Sequence, residues 1–199
     1  MQTEAIAARR GEATAGSFRP LAAELAGEGA PGDAGSRDRP VTVIARPLDE
    51  GEWEQLRAFA QRLEREDLRL RFGYAFDVRD EPTLRRFFDV KPGIGEISWI
   101  TDNAGAVAGI AHRIMVSPTE AEIALIVRCD LKRRGIGEFL LRHVLARSAR
   151  QGLATLRASV LWENRPMLRL AAKIGYAPRE LSPGTVELKF TPERNTAAA

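Results

Sequence analysis

Apolar residues recur at intervals of three and four in four stretches of the chain, and alternate or run together in the segments between. Trp53, Leu56, Phe59, Ala60 and Leu63 predict an amphipathic helix, with Asp49 placed to cap it. Arg69 to Phe76 reads as the break that ends this helix, and a short amphipathic piece around Glu81 to Phe88 groups Leu84, Phe87 and Phe88. Leu140, Leu141, Val144 and Leu145 predict a helix from Glu138 to Gln151, stopped by Gly152. Met167, Leu170, Ala171 and Ile174 predict another, with Asn164 as its cap and Gly175 at its end.

Strand patterns fill the rest. Val41 to Arg46, Ile97 to Thr101, Val107 to Val116, Ala121 to Arg128, Ala154 to Leu161 and Ala177 to Leu181 read as strands, as does a last one with Val186, Leu188 and Phe190 on one face. Turns at Asp102-Asn103-Ala104-Gly105 and Ser117-Pro118-Thr119 make the central strands an antiparallel meander, which a helical crossover follows. The expected fold is α+β: a mixed, largely antiparallel sheet flanked by helices, without internal repeats.

Composition changes this picture mainly at the N-terminus. Residues 1–40 are dominated by Ala, Gly, Glu and Arg, with Phe18 as the only aromatic, so they bury too little apolar surface to offset the entropy of ordering. They are expected to be a disordered leader before a single domain at 41–199. They have no apolar core of the kind a signal peptide needs. The 199 residues are 44% hydrophobic and 29% charged, ordinary for a soluble globular protein. Cys129 is the only cysteine, so no internal disulfide can form, and no apolar run is long enough to span a bilayer; a reducing cytoplasm is the expected compartment. A net charge of +3, with basic residues scattered among acidic ones, argues against a nucleic-acid binder. His112 and His143 have no partners at ligand spacing, so no metal is expected.

Candidate chemistry concentrates in Ala121 to Gly137, AEIALIVRCDLKRRGIG. A β-like run leads into a turn where Gly135 and Gly137 carry no Cβ, so backbone N–H groups around Arg134 to Glu138 can close on an anion such as a pyrophosphate. By itself such a Gly-x-Gly also fits a plain tight connection. Glu122 is the single carboxylate within the run. Beside buried strand surface its charged form would be disfavoured, which suits a general base; the alternative is a solvated carboxylate paired with an arginine such as Arg113. Glu120 shares its face and is the second choice.

The order of strand, Gly-turn, helix, strand, Asn-capped helix, Gly175-Tyr176 and strand resembles the GNAT superfamily of acyl-CoA-dependent N-acetyltransferases, most specifically over Ala121 to Tyr176. The segment Ala121-Glu122-Ile123-Ala124 is similar to the Ala-Glu-apolar-Ala strand of Pat-type protein lysine acetyltransferases, in which the Glu is the proposed base. The resemblance implies acetyl-CoA as co-substrate and Glu122 as catalytic residue. It also implies cofactor contacts from Leu125, Ile126, Val127, Lys132, Arg133, Arg134, Gly135, Ile136, Gly137, Glu138, Asn164, Met167 and Lys173, with the Val127 N–H on the thioester oxygen. Asn164 can serve as a cap at the same time, and Cys129 reads as a small packing residue beside the cofactor rather than a nucleophile.

Two positions depart from the superfamily pattern. Ala171 stands where many members place a Tyr general acid, leaving Tyr176, a water, or no acid; Pat-type sequences commonly lack this Tyr as well. Lys132 stands where the pattern has Gln or Arg, which keeps a charge but loses the planar fork, and Arg133 and Arg134 can compensate. The stretch Asp67 to Phe72, with Phe87-Phe88-Asp89, is similar to the corresponding region of Pat-type enzymes, which implies a lysine on a metabolic enzyme as acceptor, such as an AMP-forming acyl-CoA synthetase. The alternatives are a small amine or antibiotic as acceptor, and a non-catalytic acyl-CoA sensor.

Overall fold

The structure, a computed structural model, describes residues 43–46, 50–88, 90–91, 93–102 and 104–192. The expected leader at 1–40, the Asp49 cap and Asn103 of the expected hairpin turn lie outside the described residues. Among the described residues seven strands form one sheet: β1 (Val43–Arg46), β2 (Gly95–Thr101), β3 (Val107–Met115), β4 (Glu120–Val127), β5 (Thr155–Leu161), β6 (Pro178–Ser182) and β7 (Thr185–Phe190). Their order across the sheet is β1-β2-β3-β4-β5-β7-β6. Every neighbouring pair is antiparallel except β4 with β5, which the crossover through α4 (Ile136–Arg150) makes parallel. The expected α+β fold with a mixed, largely antiparallel sheet is therefore present.

Apolar cores lie on both faces of the sheet. On one, Leu140, Leu141 and Val144 of α4 and Leu168 and Ala171 of α5 (Arg165–Lys173) pack on Ile123, Leu156, Ala158 and Leu188. On the other, α1 (Trp53–Ala60) and α3 (Glu81–Phe88) lay Trp53, Leu56, Phe59, Leu84 and Phe88 on Ile97, Trp99, Ile110 and Ile126. The two-residue period of strands divides β4 between these cores, sending Ile123 to one and Ile126 to the other. Among the described residues no helix is long and apolar enough to cross a membrane.

One element differs from the sequence expectation. Arg69 to Phe76 does not simply break a helix, because Arg65–Phe72 forms a helix of its own, α2. The first helix stops at Ala60. The chain then restarts where the buried Asp67 carboxylate takes the Glu64 backbone N–H at 3.0 Å, a reciprocal use of a first-turn acid, and Gly73 ends α2 at φ +85°, where a side chain would be strained. Low helical periodicity in REDLRLRF hides this element from a pattern reading. It packs against β4 and β5, which brings it to the functional site.

Candidate active site

β4 and β5 part company. Their register pairs only Glu120 with Thr155, Ala121 with Leu156 and Glu122 with Arg157, while β4 stays paired to β3 up to Val127 and β5 to β7 up to Leu161. The parting leaves the β5-facing edge of upper β4 without a strand. Val116 N–H donates to Glu120 O and Arg128 N–H to Ala108 O, so the even-numbered positions of β4 point their backbone groups at β3. By alternation, Leu125 and Val127 direct theirs into the gap. Such groups require partners, and a ligand can supply them.

A cavity of about 570 Å³ occupies the gap. Its walls include Ile123 to Val127 of β4, Ala158 to Val160 of β5, Asp67, Leu70 and Arg71 of α2, and Asn164, Met167 and Leu170 at the start of α5. Beyond β4, Arg133 at φ +62° and Gly135 at φ +83° turn the chain into α4. The first N–H groups of this helix lack intrahelical partners and carry the positive end of its dipole. Asn164 Oδ1 accepts from the Met167 N–H at 3.2 Å, the expected cap, and it lines the cavity as well.

Of the positions the sequence singled out, Leu125, Ile126, Val127, Lys132, Arg133, Gly135, Ile136, Gly137, Glu138, Asn164, Met167 and Lys173 lie in the cavity wall. Arg134 is exposed on the turn outside it, and Cys129 sits apart, its thiol 3.5 Å from Arg62 O. Lys132 is held in an ion pair by the buried Asp67, and Lys173 donates to Glu138 at 2.6 Å. Hydrogen bonds from Lys173 and Arg142 hold the Glu138 carboxyl below the usual range. Tyr176 donates to Thr191 O at 3.0 Å and does not line the cavity.

Glu122 stands at the foot of the parting, on the face opposite α4, just before the first cavity-lining residues. It is exposed, so the burial that the sequence reading invoked to tune it is absent. The suggested partner Arg113 lies elsewhere, bound to Glu96 at 3.0 Å and to Ser148 at 3.0 Å. Glu120 is engaged by Arg157 at 3.3 Å, leaving Glu122 as the carboxylate of this edge without an ion pair among the described residues.

Sequence reasoning pointed to Asp67 to Phe72 only through a resemblance bearing on the acceptor, and missed that these residues form a helix in the cavity wall. Asp67, Leu70 and Arg71 close one side of the cavity. Helix α2 is pinned at both flanks of the parting, by Asp67 to Lys132 after β4 and by Arg69 to Glu163 after β5. The spacing of Glu64, Asp67 and Gly73 was the available signal.

A mixed sheet that opens between two parallel strands, with a glycine turn and a helix N-terminus at the mouth of the gap, defines the acyl-CoA-dependent N-acetyltransferase class of folds. The sequence model of the Acetyltransferase (GNAT) family matches residues 53–176, and the chain belongs to that family. YwnH of Bacillus subtilis (strain 168), provisionally named a phosphinothricin acetyltransferase, is 31% identical over 68 residues, which are 34% of this chain and 42% of YwnH. The chain thus matches under half the length of that curated relative. Among solved structures, the GNAT domain of S. lividans PAT superposes with a TM-score of 0.66 at 23% identity, over 74% of this chain and 89% of that one. The spermidine N-acetyltransferase of Vibrio cholerae, solved with CoA and spermine, gives 0.59 at 13% identity, over 75% and 95%. At these identities the structures share the fold. Acetyl-CoA is the co-substrate of the family, and the open β4 edge together with the donor-rich turn suits its amide-bearing arm and pyrophosphate.

Proposed function

We propose that this chain transfers the acetyl group of acetyl-CoA directly to a primary amine, with Glu122 as general base and the ε-amine of a protein lysine as acceptor. The observation that carries the reading is the exposed Glu122 carboxylate at the foot of the strand parting, which has no ion pair among the described residues. An amine with a pKa near ~10.4 arrives as ammonium and must lose a proton before it can attack. Glu122 is positioned to take that proton and release it to solvent. The Val127 N–H, pointing into the gap, polarises the thioester carbonyl, and Arg133, Gly135 and Gly137 hold the pyrophosphate. The departing thiol, with a pKa near that of free cysteine at ~8.5, leaves as thiolate without an acid, which fits an Ala171 buried in the core. Exposure of Glu122 supports an acceptor presented from outside on a protein surface, such as a lysine of an AMP-forming acyl-CoA synthetase.

The name of YwnH favours a second reading, in which the acceptor is a small amine. Both are tested by acetyl transfer from acetyl-CoA into a bacterial lysate, read site by site by mass spectrometry, alongside a panel of free amines. Glu122→Gln is expected to lower transfer about 10²- to 10⁴-fold with acetyl-CoA binding retained. New acetyl-lysines that require Glu122 support the protein acceptor; turnover of free amines alone selects the small one. Transfer undiminished in Glu122→Gln removes the base assignment.

A further inference from the structure

Arg71 presents a half-buried cation that no described residue neutralises. Its Nε is shut off from solvent without a hydrogen-bond partner, and among the described residues its guanidinium has no ion pair; it rests 4.5 Å from the centre of the Phe72 ring. Arg71 lines the cavity, so its planar fork of N–H donors is available to a group bound there. Burial pushes the Arg71 pKa down to about 10, with the Glu122 charge pulling it back, so the group stays cationic at neutral pH. Neighbouring His112 is neutral at neutral pH, since burial and then Arg71 press its pKa to about 3. A cation partly removed from solvent without a partner is costly to keep, and an arriving anion relieves that cost.

The donor's phosphates are not that anion. Arg71 lies over Phe72, whose ring is 5.5 Å from Phe88, and Phe88 is 5.6 Å from His112, the β3 residue opposite Ala124 and so two positions along β4 from Glu122. From Glu122 to Val127 the strand spans roughly 17 Å, and the phosphate-binding turn lies beyond that. Arg71 thus faces the reacting end of the cavity, near Glu122 but outside ion-pair distance of it.

We propose that Arg71 and Glu122 form a two-charge acceptor subsite for an amine that also carries a carboxylate, the ammonium resting on Glu122 and the carboxylate on the Arg71 fork. A zwitterion fits between a cation and an anion too far apart to pair with each other, and guanidinium binds carboxylate through two parallel hydrogen bonds. This rests on the transfer reading above and specifies its substrate class. The carboxylate belongs either to a free amino acid or to an Asp or Glu beside a target lysine.

The test compares initial rates with acetyl-CoA for amino acids, each beside its own α-amide, and for capped peptides whose single lysine neighbours Glu or Gln. The parent, Arg71→Met and Arg71→Lys are measured together, with calorimetric binding of the same acceptors to each. The parent is expected to favour the carboxylate member at least about tenfold in kcat/KM, chiefly through KM. Arg71→Met erases that preference without lowering Tm, because it removes a half-buried charge that has no ion pair among the described residues, and Arg71→Lys restores part of it. Preference in the amino-acid arm or in the peptide arm identifies the source of the carboxylate. Equal rates for acid and amide in the parent, or an equal loss on both in Arg71→Met, overturn the proposal. If no acceptor turns over, carboxylate-selective binding that requires Arg71 sustains the subsite and removes the transfer reading; binding without that selectivity overturns the subsite.

Discussion

Gly109→Ala tests whether the packing beneath the glycine turn proposed to hold the pyrophosphate sets acetyl-CoA affinity. Gly109 lies on β3 opposite Val127, under the start of α4. A Cβ there would meet Leu140 Cδ1 at 3.0 Å, Ile136 Cγ2 at 3.1 Å and Val127 Cγ2 at 3.3 Å. Carbon atoms pack best at roughly 3.5–4.0 Å, so three neighbours must each give by a few tenths of an ångström at once. Overpacking of this kind costs about 1–3 kcal/mol, and removing a strand glycine returns about 0.5–1 kcal/mol, leaving a net destabilisation of about 1 kcal/mol. Leu140 is fully buried, so the strain is relieved through Ile136, the first residue of α4, and through Val127. Both line the cavity proposed to take the donor, and small misplacements are expensive at a reacting centre. The expected result is a lower urea midpoint with an unchanged slope, together with a rise of about 3- to 10-fold in KM for acetyl-CoA. A variant as stable as the parent refutes the packing argument. A destabilised variant with an unchanged KM refutes the link from Gly109 to the turn.

Lys132→Met leaves the buried Asp67 carboxylate without its cation and is expected to cost about 1–3 kcal/mol in denaturant unfolding, with less than a fivefold rise in KM for acetyl-CoA. A large KM effect without destabilisation would return Lys132 to the phosphates. Asp102 answers to pH. Burial alone would raise its pKa, but Arg128 at 2.8 Å and the N–H groups of Ala104 and Ala106 outweigh it and hold the carboxyl below its usual value. Its contribution is fully present above an unfolded pKa of ~3.9 and is lost as pH falls through the lower folded value. Asp102→Asn is expected to be less stable than the parent at pH 7, with the gap closing below about pH 4; a gap independent of pH refutes the linkage.

Local order was legible in the sequence because it depends on neighbours a few residues apart. The alternation of Ile123 and Ile126 between two cores, the Asn164 cap three residues before Met167, and the glycine turn into α4 all follow from periods and caps that a single segment contains. The same reading put a carboxylate, Glu122, and a donor-rich turn at opposite ends of one strand. It could not supply Glu122's surroundings, since burial is a property of the assembled molecule, and the expected shelter beside the strand is absent. Nor could it place α2, whose polar sequence has weak periodicity and whose position comes from ion pairs that span the chain, Asp67 to Lys132 across 65 positions and Arg69 to Glu163 across 94. Those contacts hold a helix over the parting strands and set Arg71 in the cavity wall. Tertiary structure decided the parting itself as well: β4 follows β3, β5 follows β7, and the divergence of the two antiparallel halves, which no single segment encodes, opens the cavity between them.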